Sequence, residues 1–200
     1  MALHNDVFKQ QIWDFFCGDL ESCLCVSAIK QQSKAECCFK GGLNFTSALV
    51  IFSVIELASG WYKGKEPTTE TVAEFLNEYF SEYYSYFKDK NFSKNFYDVF
   101  RNGLSHQWSP KASGVAMDFS TDWFIQKVTY GSEEILMLNI PIFFKWTKLA
   151  LKKFESDLDL KQALRDSFEK RYKVIVDSDY KEMRILRDML KKLETQQGKS

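Results

Sequence analysis

The sequence predicts a mainly α-helical bundle with one small β insertion. Apolar residues recur every three to four positions over most of the chain, which is the spacing of amphipathic helices. Short β-branched and aromatic runs are concentrated between about 114 and 139. The 200 residues are 45% apolar and include 18 Phe, 9 Tyr and 5 Trp, so the chain can build a large core. We therefore expect one domain that comprises residues 1–200.

The first two predicted helices form the N-terminal part of the bundle. Apolar residues follow helical spacing from about 6 to 32, with Gly18 as a candidate break. The second helix, about 43–60, is apolar on most faces, so we expect it to run through the middle of the fold. Glu56 interrupts its apolar run, which is shorter than the ~20 residues that cross a bilayer. We expect no membrane partner.

Two further helices precede the β insertion. After a proline, Thr68 or Thr69 can cap a helix whose apolar spacing continues from about 69 to 88. A fourth helix is predicted to begin near Ser93. It ends before the Trp-Ser-Pro step, because the residue that precedes a proline disfavours helical conformation.

The remaining sequence predicts the β insertion and two helical segments. The runs between about 114 and 139 predict an antiparallel hairpin or a three-stranded meander. Pro141 suits the first turn of the next helix. The last segment, about 160–195, has helical spacing, with KVIVDSDY as a candidate break. It belongs to the basic end of the chain, which has 15 Lys and Arg against 10 Asp and Glu from Lys145 onward.

The total charge does not favour a polyanionic partner. Lys plus Arg and Asp plus Glu are equal at 27 each, so the molecule has no net field that attracts RNA or an acidic membrane. Any binding of nucleic acid must be local. The basic C-terminal segment can follow an RNA backbone, although such faces are more often only solvated.

The cysteines indicate a reducing compartment. All five lie within the first 38 residues, their number is odd, and no signal-peptide pattern precedes them. We therefore expect a cytoplasmic protein. Zinc is one alternative for such a cluster, but neither a C-x-x-C nor a His-x-His pair is present, and buried free thiols explain the spacing equally well. We expect no metal and no cofactor.

One short stretch combines residues that can act on a phosphodiester. FYDVFRNGLSHQW (96–108) contains Arg101, Asn102 and His106 in the pattern R-N-x-x-x-H. A guanidinium can clamp phosphate oxygens, an imidazole can transfer a proton near neutral pH, and the amide can orient the imidazole. RNA supplies its own nucleophile, the 2′-hydroxyl. On an ideal α-helix Arg101 lies about 140° from His106 and must reach back towards it.

The alternative for this stretch is an ordinary helix C-terminus. Arg, Asn and Gly are common at such positions, and the helix dipole favours a histidine there. Spacing alone favours this interpretation, because short Arg and His matches are frequent.

The same stretch, extended to FYDVFRNGLSHQWSPK, resembles the motif region of the HEPN superfamily of helical-bundle proteins. The family signature is Arg, a polar residue that is often Asn, three further residues, and His at the end of a late helix. These positions match Arg101, Asn102 and His106. The order of elements is also similar, with an apolar helix before the motif and, after it, Pro110-Lys111, a short β segment and the helix LNIPIFFKWTKLALKKF. Outside the motif the resemblance is diffuse, from about 43 to 155.

The resemblance implies a metal-independent endoribonuclease, often a toxin or an antiphage effector. In this family two motif copies meet across a homodimer interface, which implies catalytic roles for Arg101 and His106. The implied partners are a second copy, RNA or a nucleotide, and an antitoxin. Other family members have no shown activity and act as nucleotide-binding or adaptor modules, so a non-catalytic module is the alternative function.

Four residues around the motif are predicted to bind or orient substrate: Asn102, Ser105, Glu56 and Lys111. A carboxylate in an apolar helix is costly unless it is paired, so Glu56 can form a salt bridge with Arg101 or act as a base in the cleft. The alternative for Glu56 is a partly exposed helix end. The alternative for Asn102 and Ser105 is capping of the helix.

A group of tyrosines can in principle stack on bases, as aromatic residues do in proteins that bind single strands. Their helical spacing favours packing in the core or in an interface. The group consists of Tyr79, Tyr83, Tyr84 and Tyr86.

Overall fold

The computed structural model describes residues 3–32, 43–104 and 113–197. Within these residues the chain forms six helices and a three-stranded sheet, which confirms the predicted mainly α fold with a small β insertion. The elements in chain order are the helices α1 (Leu3–Val7, Phe8–Cys17 and Gly18–Gln32 in succession), α2 (Asn44–Lys63), α3 (Thr69–Phe80) and α4 (Lys90–Tyr97, continued by Asp98–Asn102), the strands β1 (Ser113–Ala116), β2 (Ile125–Tyr130) and β3 (Glu133–Asn139), and the helices α5 (Ile140–Leu160) and α6 (Gln162–Gln197).

α1 does not break at Gly18, so this expectation is wrong. Gly18 has φ −62° and ψ −47°, which are ordinary α-helical values. The irregularity lies earlier in the helix, where Phe8–Cys17 widens to a π-helix. This segment buries Phe8, Ile12 and Phe16 in the core. Burial of these large side chains outweighs the modest cost of one glycine in a helix, which is about 1 kcal/mol.

α2 runs through the core, as its apolar sequence predicts. Ile51, Phe52 and Ile55 are completely buried. Among the described residues α2 is the one helix long and apolar enough to cross a membrane, with a mean hydropathy of 1.4, and 56% of that stretch is buried inside the fold. The core helix of a folded bundle has the same composition, so the composition of α2 alone does not indicate a membrane span.

The C-terminus of α2 permits a close approach by α6. Gly64 ends the helix with φ +66°, a left-handed conformation that glycine adopts without steric cost. A Cβ atom at this position would lie 3.1 Å from the Cα and carbonyl oxygen of Ser167. A larger residue would therefore strain the turn and displace α6.

α3 begins where the sequence predicts. Thr68 is its N-cap: the Thr68 hydroxyl accepts a hydrogen bond from the backbone N–H of Thr71 at 3.3 Å. The Thr71 hydroxyl oxygen in turn accepts from the backbone N–H of Thr68 at 2.7 Å. This reciprocal pair is a capping box, which satisfies two backbone donors that the helix itself leaves unpaired.

α3 ends at Phe80, not near residue 88, so its predicted length is wrong. A short 3₁₀ turn, Ser85–Lys88, follows after a bend. The side-chain amide of Asn77 donates hydrogen bonds to the carbonyls of Phe87 and Lys88, both at 2.8 Å. Phe87 is thereby folded back into the core, where it is completely buried. Helical spacing in the sequence does not report contacts of this kind.

The hairpin is predicted correctly, but the pairing of the first strand is not. β2 and β3 are antiparallel, whereas β1 pairs with β3 in parallel, so the strand order is β1-β3-β2. The antiparallel meander is therefore wrong. The Asn139 side chain fixes the connection by accepting from the Asp118 N–H at 3.1 Å and donating to the carbonyls of Asp118 and Trp123. These tertiary hydrogen bonds hold the connection that leads from β1 to β2.

The two C-terminal helices begin and end close to the positions that the sequence predicts. Pro141 lies in the first turn of α5, as predicted. α6 continues without interruption through KVIVDSDY, so the candidate break is wrong. Three β-branched residues in a row reduce helix propensity by only a few tenths of a kcal/mol each, roughly, which is too little to end a helix.

Aromatic side chains form the part of the core that supports α4. The rings of Phe52, Phe96 and Phe143 have centroids 5.0 to 5.7 Å apart. Phe124, which precedes β2, packs against the same group at 5.7 Å from Phe96. α2, α4, α5 and the β insertion therefore meet at this cluster, and the orientation of α4 follows from it.

Candidate functional site

α4 presents Arg101 and Asn102, the two motif residues that it contains, along one flank of the bundle. Its N-terminus is capped by Asp89, whose carboxylate accepts a hydrogen bond from the backbone N–H of Asn91 at 2.8 Å. Phe96 and Phe100 anchor the helix in the core. With that face buried, Arg101 and Asn102 lie partly exposed.

The end of α4 is wound more widely than an α-helix. Asp98–Asn102 is π-helical, so its backbone hydrogen bonds follow the i→i+5 pattern. The separation of about 140° between Arg101 and His106 assumes regular α-helical winding from Arg101 onward. That assumption does not hold for a residue within a π turn.

Glu56 of α2 and Arg101 of α4 form a salt bridge, which is one of the two roles predicted for Glu56. The guanidinium donates through Nε to Glu56 Oε1 and through Nη2 to Oε2, the latter at 3.1 Å. The side chains are 28% exposed for Arg101 and 18% for Glu56. Two parallel hydrogen bonds fix the plane of the guanidinium as well as its position.

Tyr97 completes this arrangement. Its hydroxyl donates to Glu56 Oε1 at 2.6 Å, and its ring centroid lies 5.8 Å from Arg101 Cζ. Burial, followed by the hydrogen bond to Glu56, raises the pKa of Tyr97, so the phenol remains a donor at neutral pH. The hydrogen bonds to Glu56 raise the pKa of Arg101. We refer to these three residues as the Glu56–Arg101–Tyr97 cluster.

Asn102 connects the cluster to Asp98. Its amide nitrogen donates to Asp98 Oδ1 at 2.9 Å, and its amide oxygen lies 3.4 Å from Arg101 Nη1. Among the described residues these contacts are between side chains, which differs from the alternative of backbone capping. Asn102 thus supports the orientation of Arg101.

Three predicted site residues lie outside the described residues: Ser105, His106 and Lys111. The convergence of Arg101 and His106 on one space therefore stays a prediction. The described part of the site consists of Glu56, Arg101, Asn102 and their two partners on α4.

In the Glu56–Arg101–Tyr97 cluster the guanidinium of Arg101 is held in one orientation, and its charge is neutralised by the carboxylate of Glu56. A guanidinium held by a carboxylate is preorganised, which helps it to bind a phosphate in one pose. The same carboxylate cancels the charge of Arg101 locally, so a phosphate must displace Glu56 or be bound by a further cation as well. Glu56 is engaged by Arg101 and Tyr97, and we assign it a positioning role.

Packing accounts for most of the candidate base-stacking tyrosines. Tyr79 is buried and donates to Asp157 Oδ2 at 3.0 Å, while Tyr83 and Tyr84 are partly buried. Tyr86 is 63% exposed. It lines, together with Tyr84, a mainly apolar groove of about 470 Å³ beside α4. Tyr86 is therefore the one residue of this group with a ring presented to solvent.

The described cysteines differ in exposure, since Cys17 is buried, Cys23 is partly buried and Cys25 is exposed, so the alternative of buried thiols fits Cys17 but not Cys25. Cys17, Cys23 and Cys25 are free, and burial raises the pKa of Cys17 to about 11. Over residues 3–32, 43–104 and 113–197, no group of three or more His, Cys, Asp or Glu side chains is arranged to hold a metal ion. Cys37 and Cys38 lie outside these ranges.

Sequence reasoning missed Tyr97 and Asp98 as members of the site. Tyr97 lies three positions before Phe100, so the helical spacing of the sequence indicates a core residue at this position. Each of the two residues lies four positions before a residue of the motif, Arg101 or Asn102. Side chains with that spacing are neighbours on a helix surface, so this signal was available.

The described residues that directly follow Arg101 end at Leu104, two positions before His106. No protein-family model, curated protein or solved structure matches this chain.

Proposed function

We propose that this protein is a metal-independent endoribonuclease of the HEPN type that acts as a cytoplasmic homodimer. Arg101 binds the phosphate oxygens at the scissile bond, and His106 transfers protons. The RNA 2′-hydroxyl attacks the adjacent phosphorus and the 5′-oxygen leaves, which yields a 2′,3′-cyclic phosphate and a 5′-hydroxyl. No metal takes part in this reaction.

The Glu56–Arg101–Tyr97 cluster is the observation that supports this proposal most directly. Catalysis of phosphoryl transfer depends on groups that are oriented before the substrate arrives. Arg101 meets that requirement, because Glu56 holds its guanidinium through two hydrogen bonds and Asn102 lies against it. A surface arginine without such partners samples many rotamers, and ordering it costs free energy on binding.

The neutrality of the cluster favours a composite site over a single one. One Arg101 paired with Glu56 offers little net attraction to a phosphate. The Arg101 of a second copy is likewise paired with Glu56, so a second copy across a dimer interface would add mainly another imidazole, together with the donors of Ser105 and the cation of Lys111. We therefore propose that the active species is the dimer.

The test is cleavage of single-stranded RNA by the purified protein in EDTA. His106→Ala is expected to lower the cleavage rate by roughly 10²- to 10⁴-fold, the usual contribution of a general acid or base. Arg101→Ala is expected to lower it similarly. Arg184→Ala, which removes an exposed arginine far along α6, serves as the matched control and should keep the full rate.

Circular dichroism and thermal melts must show that the variants are folded. Cleavage that survives in folded His106→Ala protein would overturn the catalytic assignment. Cleavage that requires a divalent metal would overturn the mechanism.

A non-catalytic module that binds a nucleotide or another phosphate is the second candidate. The observation that favours it is the engagement of Glu56 with Arg101, since the carboxylate already neutralises the guanidinium and so reduces the stabilisation that Arg101 can give to charge that develops during cleavage. Calorimetric titration with nucleotides would then show binding that Arg101→Ala weakens. RNA would remain intact after long incubation.

A further inference from the structure

The second half of α6 leaves the bundle and exposes an apolar stripe. The helix has 36 residues, which corresponds to a length of about 54 Å. Leu164 and Phe168, in its first turns, are buried in the core. From residue 177 to 191 every side chain is exposed. This part of α6 therefore has no covering element among the described residues.

The exposed part is unusually apolar for a solvated helix. Met183 is 48% exposed, Leu186 58% and Leu190 51%. A helix that is stable alone in water is polar on all faces, whereas an apolar stripe at spacing of three and four residues is the seam of a coiled coil. The stripe, which we call the α6 seam, begins at the half-buried Tyr172, which still packs on Phe168 of the core, and at Val176, and continues through the exposed Met183, Leu186 and Leu190.

The spacing assigns each seam residue to a heptad position. Val176, Met183 and Leu190 are seven apart and take position a, and Tyr172 and Leu186 take position d. Ile175 and Met189 lie at the flanking g positions and widen the apolar face. Ile185 is also exposed, at 52%, but falls at position c on the far side of the helix.

The charges beside the seam match a second parallel copy of the same helix. Glu182 is at position g and Arg187 is at the following e position. In a parallel dimer, g of one helix faces e of the partner helix five residues on, so Glu182 meets Arg187 of the other copy twice by symmetry. Within one helix these two residues point in different directions, and they make no ion pair in the described chain.

Arg187 has no acidic residue one turn away on its own helix. Its intrahelical neighbours one turn away are Arg184 and Lys191, which are both basic. The antiparallel alignment that opposes Leu186 to Leu190 would bring Arg187 close to Arg187 of the other copy. The charges at Glu182 and Arg187 therefore favour the parallel arrangement over this antiparallel alignment.

One residue of the stripe opposes association. Asp179 occupies position d between Val176 and Met183 and would face its own copy in the parallel pair. A carboxylate in this position costs stability and limits the seam to a modest strength. The apolar side chains of two seams offer on the order of 1,000 Å² of burial, which is near the threshold for a specific interface.

We infer that the α6 seam is a self-association surface, and that two copies of this chain pair through a parallel coiled coil over about residues 172–190. The inference does not depend on the proposed ribonuclease activity, because the association of two chains is measured as a molecular mass and not as RNA cleavage. The parallel arrangement places both bundles at the same end of the coiled coil. It would thus bring two Arg101 residues to the same side of the assembly.

The first test measures oligomeric state by sedimentation across the micromolar range. The wild-type chain is expected to show a monomer–dimer equilibrium. Leu186→Lys should weaken the dimer by roughly tenfold or more, since it buries a charge in the seam. Ile185→Lys is the matched control, an exposed apolar neighbour on the other face, and should leave the equilibrium unchanged.

The second test addresses the parallel orientation of the two helices and the destabilisation of the dimer by Asp179. Glu182→Arg and Arg187→Glu should each weaken the dimer, and the double variant should restore it, which only a g-to-e pairing between copies explains. Asp179→Leu should strengthen the dimer, whereas Asp177→Leu, at position b, should not.

These outcomes separate the inference from its competitors. A wild-type chain that is monomeric throughout the concentration series would overturn it, as would equal effects of Leu186→Lys and Ile185→Lys. Failure of the double charge exchange to restore the dimer would overturn the parallel pairing. A dimer that leaves RNA intact would overturn the proposed ribonuclease alone. A wild-type monomer that cleaves RNA would overturn the α6 dimer and the dimeric active species, but not the proposed cleavage reaction.

Discussion

The two halves of α6 have the same apolar spacing but different environments. Phe168, near the start, is completely buried against Trp61, with ring centroids 5.0 Å apart. Leu186, near the middle of the projecting part, is 58% exposed. Helical periodicity in the sequence therefore identifies which face of a helix is apolar, but it does not identify what covers that face. In the first half the cover is the bundle, and in the second half we propose another copy of the chain.

The strongest way to test this comparison is to truncate one apolar side chain in each half. Phe168→Ala is expected to lower the free energy of unfolding by about 3–5 kcal/mol, because it removes a ring from a packed core. Leu186→Ala should change it by less than about 0.5 kcal/mol when measured at concentrations where the chain is monomeric. Urea denaturation followed by circular dichroism measures both. Similar losses in the two variants would mean that the second half of α6 packs on the bundle in solution.

Ion pairs extend the same comparison to charged groups. Glu56 and Arg101 are largely shielded from water, whereas Lys127 and Glu134 are 73% and 69% exposed. Glu56→Gln is expected to lower the free energy of unfolding by about 1–3 kcal/mol, since it leaves Arg101 without its carboxylate partner in a partly buried position. Glu134→Gln should have an effect within about 0.5 kcal/mol of zero. Thermal melts at low and high salt measure the effect of each substitution. If the effects of Glu56→Gln and Glu134→Gln depend equally on salt, the assigned burial of Glu56 is contradicted.

The smallest expected effect concerns an exposed carboxylate between two lysines. Hydrogen bonds from Lys90 and then Lys94 lower the pKa of Glu70 from its usual 4.5 to about 2. Because the folded-state pKa lies below the unfolded value, the stabilisation is present above pH 4.5 and is lost as the pH falls towards 2. The stability difference between wild type and Glu70→Gln should therefore shrink over that window and with added salt. A difference that grows on acidification would refute the assignment.

The amino-acid order alone predicts the class of the fold, most element positions and three of the five residues of the described site, Glu56, Arg101 and Asn102. The capping signal at Thr68, the proline in the first turn of α5 and the helical spacing of α2 are local features, so the chain carries them in its order of residues. The pairing of Glu56 with Arg101 was among the predicted roles, because a carboxylate in an apolar helix needs a partner. The assignment of Arg101 and His106 to catalysis stays a prediction.

Features that depend on residues far apart in the chain arise only when the helices and strands pack together. Asn77 ends α3 early by binding two carbonyls ten and eleven positions away, and Asn139 holds the connection around which β1 pairs in parallel. The bidentate geometry at Arg101 and the burial of Tyr97 likewise require α2 and α4 to be packed together. Local spacing fixes which residues share a face of an element, whereas long-range contacts fix which faces meet, and the second kind of information is not contained in any short stretch of sequence.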